Sequence, residues 1–265
     1  LGHPQVDAGG VDAPPACVDD GETAARPFGF IRDPVPGHAR HVLDNRLAAA
    51  QDPKGGGWRY NVQQAGDTSV VGWQIMALKS GQNAKLKIPS GTFKLANRFL
   101  DHVQGEQGAV YGYVSAPASF ADAPPPMTAV GLLCRMYMGW DKKNPHLKAG
   151  VEYLDRVKPS SNNMYYNYYA TQVMHHWGGD EWQRWNEVMR DHLIRTQVTE
   201  GVESGSWNLT DPHGGPGGRL YQTLSSGNRS VERRCRPRKI RAALGGIRAA
   251  RLSRSRGRLV PPGAP

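Results

Sequence analysis

Cysteine is scarce in this chain: Cys17, Cys134 and Cys235 are the only three among 265 residues. Their spacing fits neither a disulfide framework nor a zinc site, so neither a metal nor a cofactor is expected. Cys134 lies in an apolar run and reads as a small buried hydrophobe. No stretch approaches the ~20 apolar residues that a membrane-spanning helix needs. Nothing at the start resembles the basic and apolar blocks of a signal peptide. β-branched residues never alternate with polar ones over a strand's length, which argues against a sheet. The chain opens on Leu1 rather than Met and reads as a fragment, so these absences leave its localisation open.

Acid is missing from one region in particular. A formal charge of +10 would suit nucleic acid or a membrane surface. Twelve Lys or Arg, however, follow Thr223 against one acid, Glu232, and 21 basic and 22 acidic residues stand before them. The body is thus near neutral. The stretch from Asn228 to Arg258 holds eleven arginines. It reads as a disordered arm for nucleic acid or anionic lipid, as a merely solvated tail, or as sequence out of frame, because Arg, Gly, Ala and Pro have GC-rich codons. The abrupt change after Gly218–Thr223 favours the last. Residues 1–37, dominated by Asp, Gly, Pro and Ala, form an irregular leader open to the same suspicion. Residues 38–223 remain as the folded domain and 224–265 as the Arg-rich tail.

Within that domain a pattern recurs. Leu47, Leu100, Leu154 and Leu193 are each followed four residues later by a polar side chain: Gln51, Gln104, Lys158 and Gln197. Loops with Gly or aromatic residues come next, containing Gly57-Trp58, Gly108 to Tyr111, Met164 to Tyr166, and Gly205 to Trp207. Offsets of 53, 54 and 39 residues indicate an internal repeat, in which neighbouring units bury what one alone could not. A Gln amide at a helix end can pair with orphan backbone groups, and an indole can cover the junction. Gln51, Gln104 and Gln197 are therefore structural ties.

Two kinds of helix alternate between these loops. One is amphipathic, with Phe93, Ala96, Phe99, Leu100 and Val103 on one face, as are Leu147, Val151, Leu154 and Val157, and Trp182, Trp185, Met189 and Leu193. The other is apolar nearly all round, over Thr68–Ser80, Thr128–Met138 and Tyr165–Trp177. A helix without a wet face must be enclosed. Two layers follow, the amphipathic helices outside. A weaker helix is expected over 38–50.

The Leu-x3-Gln followed by Gly-x-Trp resembles the repeat of triterpene cyclases. Gly57-Trp58-Arg59-Tyr60 leading to Gly66-Asp67-Thr68-Ser69-Val70-Val71-Gly72-Trp73 is similar to the prenyltransferase and squalene-oxidase repeat. Bacterial squalene-hopene-cyclase-like proteins are the nearest resemblance, over about residues 45–223. It implies an all-α fold, an α/α toroid of helical hairpins whose inner helices line a cavity. About eight helices, or four hairpins, make an incomplete ring here.

In the cyclases so resembled, an acid within Asp-x-Asp-Asp-Thr protonates an alkene or epoxide, and aromatic faces stabilise the cation. The matching segment is Gln64-Ala65-Gly66-Asp67-Thr68. Only the final Asp survives, so the proton donor is not carried over. Asp67 is the one catalytic candidate, and its plainer role is to cap the Thr68 helix. Protein prenyltransferases hold zinc by Asp, Cys and His, a set not reproduced here. Gln104-Gly105-Glu106-Gln107 is similar to the thioester motif of macroglobulins but lacks the cysteine. His175 and His176 point about 100° apart on a helix and suit a hydrogen-bonded pair better than a metal.

Aromatic residues remain: Tyr60, Trp73, Tyr111, Tyr113, Tyr165, Tyr166, Tyr168, Tyr169 and Trp177 are candidates to line a cavity. Core packing is the competing account, weakest for Tyr165-Tyr166-Asn167-Tyr168-Tyr169, whose hydroxyls a dry core would have to satisfy. His213 and Arg219 are placed at the cavity mouth, although the Gly-rich run around them reads more readily as a flexible loop. The expectation is a domain that binds a hydrophobic, isoprenoid-like molecule or a protein without the cyclising acid. The alternatives are an active isoprenoid cyclase or transferase with its acid elsewhere, and nucleic-acid or membrane-surface binding by the tail alone.

Overall fold

The computed structural model describes residues 46–208 and 214–226. The leader, His213, Cys17, Cys235 and the tail from residue 227 lie outside them. The described chain is mostly helical. Helical residues 46–50 (α1) come first. They are followed by α2 (Thr68–Asn83), α3 (Ser90–Val103), α4 (Pro125–Tyr137), α5 (Pro145–Val157), α6 (Met164–Trp177), α7 (Gly179–Thr196) and α8 (Gly214–Ser226). Among the described residues no helix is long and apolar enough to cross a membrane.

The helices sort into two rows. Consecutive members of α2, α4, α6 and α8 pack side by side in chain order, and α3, α5 and α7 lie against α2, α4 and α6 respectively. Composition explains the division. α4 is buried on nearly every side, at Thr128, Ala129, Val130, Gly131, Leu132, Leu133, Cys134, Arg135 and Tyr137. A helix so enclosed has to sit at the centre. α7 instead buries Trp182, Trp185, Met189 and Leu193, spaced three or four apart, and exposes a mainly polar face that includes Val188 and Ile194. α3 likewise buries Ala96, Phe99, Leu100 and Val103. Val157, expected on the buried face of α5, is instead exposed at that helix's end. Nor is α2 fully enclosed: Val71, Ile75 and Leu78 are buried while Trp73 stands out.

The starts of the helices follow local chemistry. Asn144 caps α5 by accepting from the His146 and Leu147 amides at 2.9 and 3.1 Å, with Pro145 in the first turn. Asn163 caps α6 through the Tyr166 amide at 2.8 Å. The Gly-rich run before Arg219 departs from the loop expected of it. It opens α8, and Gly218 breaks that helix at φ 63°, ψ −168°, a conformation suited to glycine.

The repeat has a physical basis at the helix ends. Gln51 donates its amide to the carbonyls of Gly56 at 2.7 Å and Thr92 at 3.0 Å, tying α1 to the first turn of α3. Trp58 donates its indole N–H to Leu47 O at 2.8 Å. At the far end Gln197 donates to Gly205 O and Trp207 to Leu193 O, both at 3.0 Å. Gln104 works through its carbonyl, which accepts from Arg135 at 3.0 Å. Lys158 offers no such tie, and there Asn167 exchanges two bonds with the Ser160 backbone instead, at 2.7 and 2.8 Å. Gly57 and Gly66 let two backbone strands cross beside the first tie, where a Cβ on either would meet the other's Cα.

Among the described residues one short sheet exists despite the sequence argument against any. Gln104–Gly105 (β1) pairs antiparallel with Val110–Tyr111 (β2), and Gln197 bridges Trp207 in the same manner. Two-residue strands are too short to show alternation, so period reading cannot find them.

Candidate functional site

The aromatic candidates divide between two environments. Trp73 on α2 reaches over α4 to α6, lying stacked on Tyr168 with centroids 5.9 Å apart and edge-on to Tyr169 at 5.7 Å. Tyr168 meets Tyr169 at 5.2 Å, and Tyr165 meets Tyr169 at 5.0 Å. These four form one connected cluster. Gly72 lets α2 lie close on α4 beside it, because a Cβ there would come 2.5 Å from Val130 Cγ1. Trp73 keeps 45% of its surface exposed and Tyr168 and Tyr165 are half-buried, so the cluster has an open side.

Spacing on α6 explains the division. Tyr165, Tyr168 and Tyr169 share a face, as residues three and four apart on a helix must. Tyr166 points the other way and meets Trp185 of α7 at 5.9 Å. It belongs between the helix rows, as does Trp177, buried with Lys142 5.5 Å above its ring. Tyr111 is fully buried against Gly131 of α4, and its hydroxyl accepts from Arg135 Nε at 3.1 Å. Burial pushes the Tyr111 phenol up to about 12, although the Arg135 guanidinium works against the rise. Tyr60 is 81% exposed on the loop before α2. Tyr60, Tyr111, Tyr166 and Trp177 therefore lie apart from the cluster that Trp73, Tyr165, Tyr168 and Tyr169 form.

Next to the cluster lies the N-terminus of α2. Asp67 is wholly buried and caps that helix, Oδ1 accepting from the Val70 amide at 2.9 Å and from Ser69 Oγ at 2.6 Å. Oδ2 faces Arg59 Nε at 3.5 Å. The Arg59 guanidinium also sits over the Tyr113 ring, 5.9 Å from its centroid. Desolvation, followed by the Asp67 charge, raises the Tyr113 phenol. Burial likewise raises Tyr165 and Tyr169, so both remain neutral hydroxyls at ordinary pH. Thr68 fixes the neighbouring loop by donating to Gly112 O at 2.6 Å. The resulting shelf has an aromatic floor, phenolic hydroxyls, one ion pair at its edge and no exposed carboxylate from Asp67.

Arg219, placed at a cavity mouth by sequence, instead pairs with Glu203 at 2.8 Å and donates to Ser206 Oγ at 3.0 Å. His175 and His176 lie edge-on to one another and do not converge; His175 packs on Trp182 and His176 on Tyr137. Among the described residues no three His, Cys, Asp or Glu side chains could jointly hold a metal ion.

Arg135 was not singled out by its sequence context. It is 3% exposed on α4 and donates to Tyr111, Asn97, Asp101 and Gln104, with Trp140 4.9 Å beneath the guanidinium. A lone arginine in an apolar run was the available signal. Every partner comes from outside α4, so this is a hub joining the two rows. Compared with known proteins, the chain matches no family model and no curated sequence.

Proposed function

We propose that residues 46–226 belong to an α/α toroid of the terpenoid-cyclase-like kind and bind a hydrophobic, isoprenoid-like ligand on the aromatic shelf. The observation that carries this reading is the half-exposed Trp73 ring, stacked on Tyr168 of α6. An indole held edge and face by two tyrosines, Tyr169 and Tyr168, offers apolar area that folding has not consumed. A polyene could lie along it, since π faces attract polarisable and cationic groups alike. The two rows of helices, with recurring Gln and Trp ties at helix ends, are compatible with hairpins that would continue into a ring.

Binding without cyclisation fits the position of Asp67. Its carboxylate has no exposed surface, is held by Val70, Ser69 and Arg59, and has the Tyr113 phenol beside it. A general acid must reach the atom it protonates within about 3 Å. An active cyclase would need a different carboxylic acid facing the shelf. Nucleic-acid or lipid binding would rest on the arginine-rich tail, outside the described residues.

The test is titration of the full chain with farnesol and with squalene in detergent, followed by calorimetry. Saturable binding is expected, weakened at least about tenfold by Trp73→Ala or Tyr168→Ala. Tyr60→Ala should leave it unchanged. Binding that ignores Trp73 and Tyr168, or no saturable binding, sinks the proposal. Conversion of squalene to a cyclic product would replace it with the enzyme reading.

A further inference from the structure

We propose that a second opening, a cavity of about 260 Å³ bordered by α6, α7 and α8, binds a small uncharged polyol with the size and chemistry of a monosaccharide. It shares no residue with the aromatic cluster, so it stands or falls independently of the ligand proposed there.

Its lining decides the chemistry. Met164 from α6 and Trp207 supply apolar surface, and His192 and Thr196 come from α7, Gln222 from α8. Ser161 and Asn208 complete the wall. Five of these seven are polar and none is an acid, lysine or arginine. No formally charged side chain forms this wall, so a charged ligand would shed water without a direct ion-pair partner, which a partly desolvated site penalises. Desolvation, and secondarily the nearby Arg195, lowers the His192 imidazole, so it is neutral at pH 7 and offers one donor and one acceptor. The Trp207 N–H is already committed to Leu193 O at 3.0 Å, which leaves that residue only its ring to offer.

Gln222 is the independent observation. The residue is 2% exposed, and its Oε1 has no hydrogen-bond partner among the described residues. Buried amide oxygens are almost always paired, and a side chain bordering a cavity can find its partner there. The missing partner is a donor. A hydroxyl supplies one, together with acceptor lone pairs for His192 and Asn208.

Size and wetness agree. Drug-sized ligands occupy roughly 300–1,000 Å³, so this cavity suits something smaller. It is polar and roomy enough to hold several waters. A ring bearing hydroxyls can reproduce the bonds such waters make while laying its C–H face on the indole, the exchange by which displacing ordered water gains affinity.

The experiment is saturation-transfer NMR and calorimetry on the full chain with methyl α-glucoside, methyl α-galactoside, methyl α-mannoside and myo-inositol, with glucose 6-phosphate and phenol as contrasts. At least one neutral polyol should saturate with a Kd of about 1 mM or below. Glucose 6-phosphate should bind at least about tenfold more weakly, and phenol should not compete. Gln222→Leu should weaken the polyol at least about tenfold while leaving the urea midpoint unchanged or raised, because it removes a buried orphan. His192→Phe, which fills the cavity from α7, should do the same. Should Gln222→Leu perturb folding, His192→Phe decides alone. No saturation by any neutral polyol, affinity insensitive to the variant that folds, or preference for phenol would overturn the assignment.

Discussion

The indole N–H of Trp207 donates to the carbonyl of Leu193 at 3.0 Å. Trp58 makes the same bond to Leu47 at 2.8 Å, more than a hundred residues earlier. In both places a Gln four residues after the leucine, Gln197 or Gln51, donates to a glycine carbonyl in the loop that carries the tryptophan. One solution to the orphan carbonyls of a helix end is therefore used at both ends of the domain.

The two ties differ in burial, which sets what each contributes. Gln51 is buried and bonds two carbonyls, whereas the Gln197 bond is exposed. Gln51→Leu should destabilise the chain by about 2–4 kcal/mol, because two acceptors lose their donor away from water. Gln197→Leu should cost about 0.5–1 kcal/mol. Urea denaturation at constant slope gives both values, and equal costs would refute the distinction.

Arg135 and its partners provide a sharper case. Replacing it with Met strands the Tyr111, Asn97 and Gln104 oxygens, so a loss of about 3–5 kcal/mol is expected. Lysine should rescue little, since a point charge cannot serve several acceptors as a planar fork does. Full stability in Arg135→Lys, read from the thermal midpoint, would mean that charge rather than geometry matters there.

Alkaline pH should unfold the protein through its buried phenols. In the folded state Tyr111 is raised to about 12 by desolvation, and Tyr166 and Tyr169 are raised as well. A phenol raised above its unfolded value of 10.0 stabilises the fold fully below pH 10. That contribution is lost progressively as pH climbs from there through the folded value, since the unfolded chain releases its proton first. Stability should thus hold to about pH 10 and then fall by about 1.4 kcal/mol per pH unit for each such tyrosine. The Tyr166 hydroxyl has no hydrogen-bond partner among the described residues. Tyr166→Phe should therefore raise stability by about 1 kcal/mol at pH 7 and make the alkaline decline shallower.

Asp67 is expected to behave as a cap. Asp67→Ala should cost about 1–2 kcal/mol, while Asp67→Asn keeps the acceptor for the Val70 amide and loses less. Neither change should alter isoprenoid affinity beyond what stability explains. An Asn variant that folds normally but binds tenfold more weakly would assign the carboxylate a direct role.

Cys134 should be chemically silent in the folded protein. It is buried, and its thiol is pushed up to about 12 by desolvation. Iodoacetamide at pH 8 should leave it unlabelled until urea is added, because the thiolate is the reactive form. Peptide mapping of the Cys134 segment supplies the readout.

The helices were legible because hydrophobic period and burial have one cause. Trp182, Trp185, Met189 and Leu193 must face one way on any α-helix, and they do. The cap at Asp67 was legible for the same local reason. The tyrosine run on α6 was not, because five consecutive residues point around the whole helix. Sequence offers no means to tell that Tyr166 enters the core while Tyr168 joins Trp73.

The sequence by itself determined what depends on near neighbours along the chain: the positions of α2 to α7, the alternation of half-wet and apolar helices, and the glutamine ties at their ends. Tertiary structure alone decided what depends on distant partners. It brought Trp73 onto Tyr168, gathered Asn97, Asp101, Gln104 and Tyr111 around Arg135, and bordered one cavity with His192 and Gln222. Hydrogen bonds and ring contacts of this kind act over a few ångströms, and side chains dozens of residues apart come that close only when whole helices have packed.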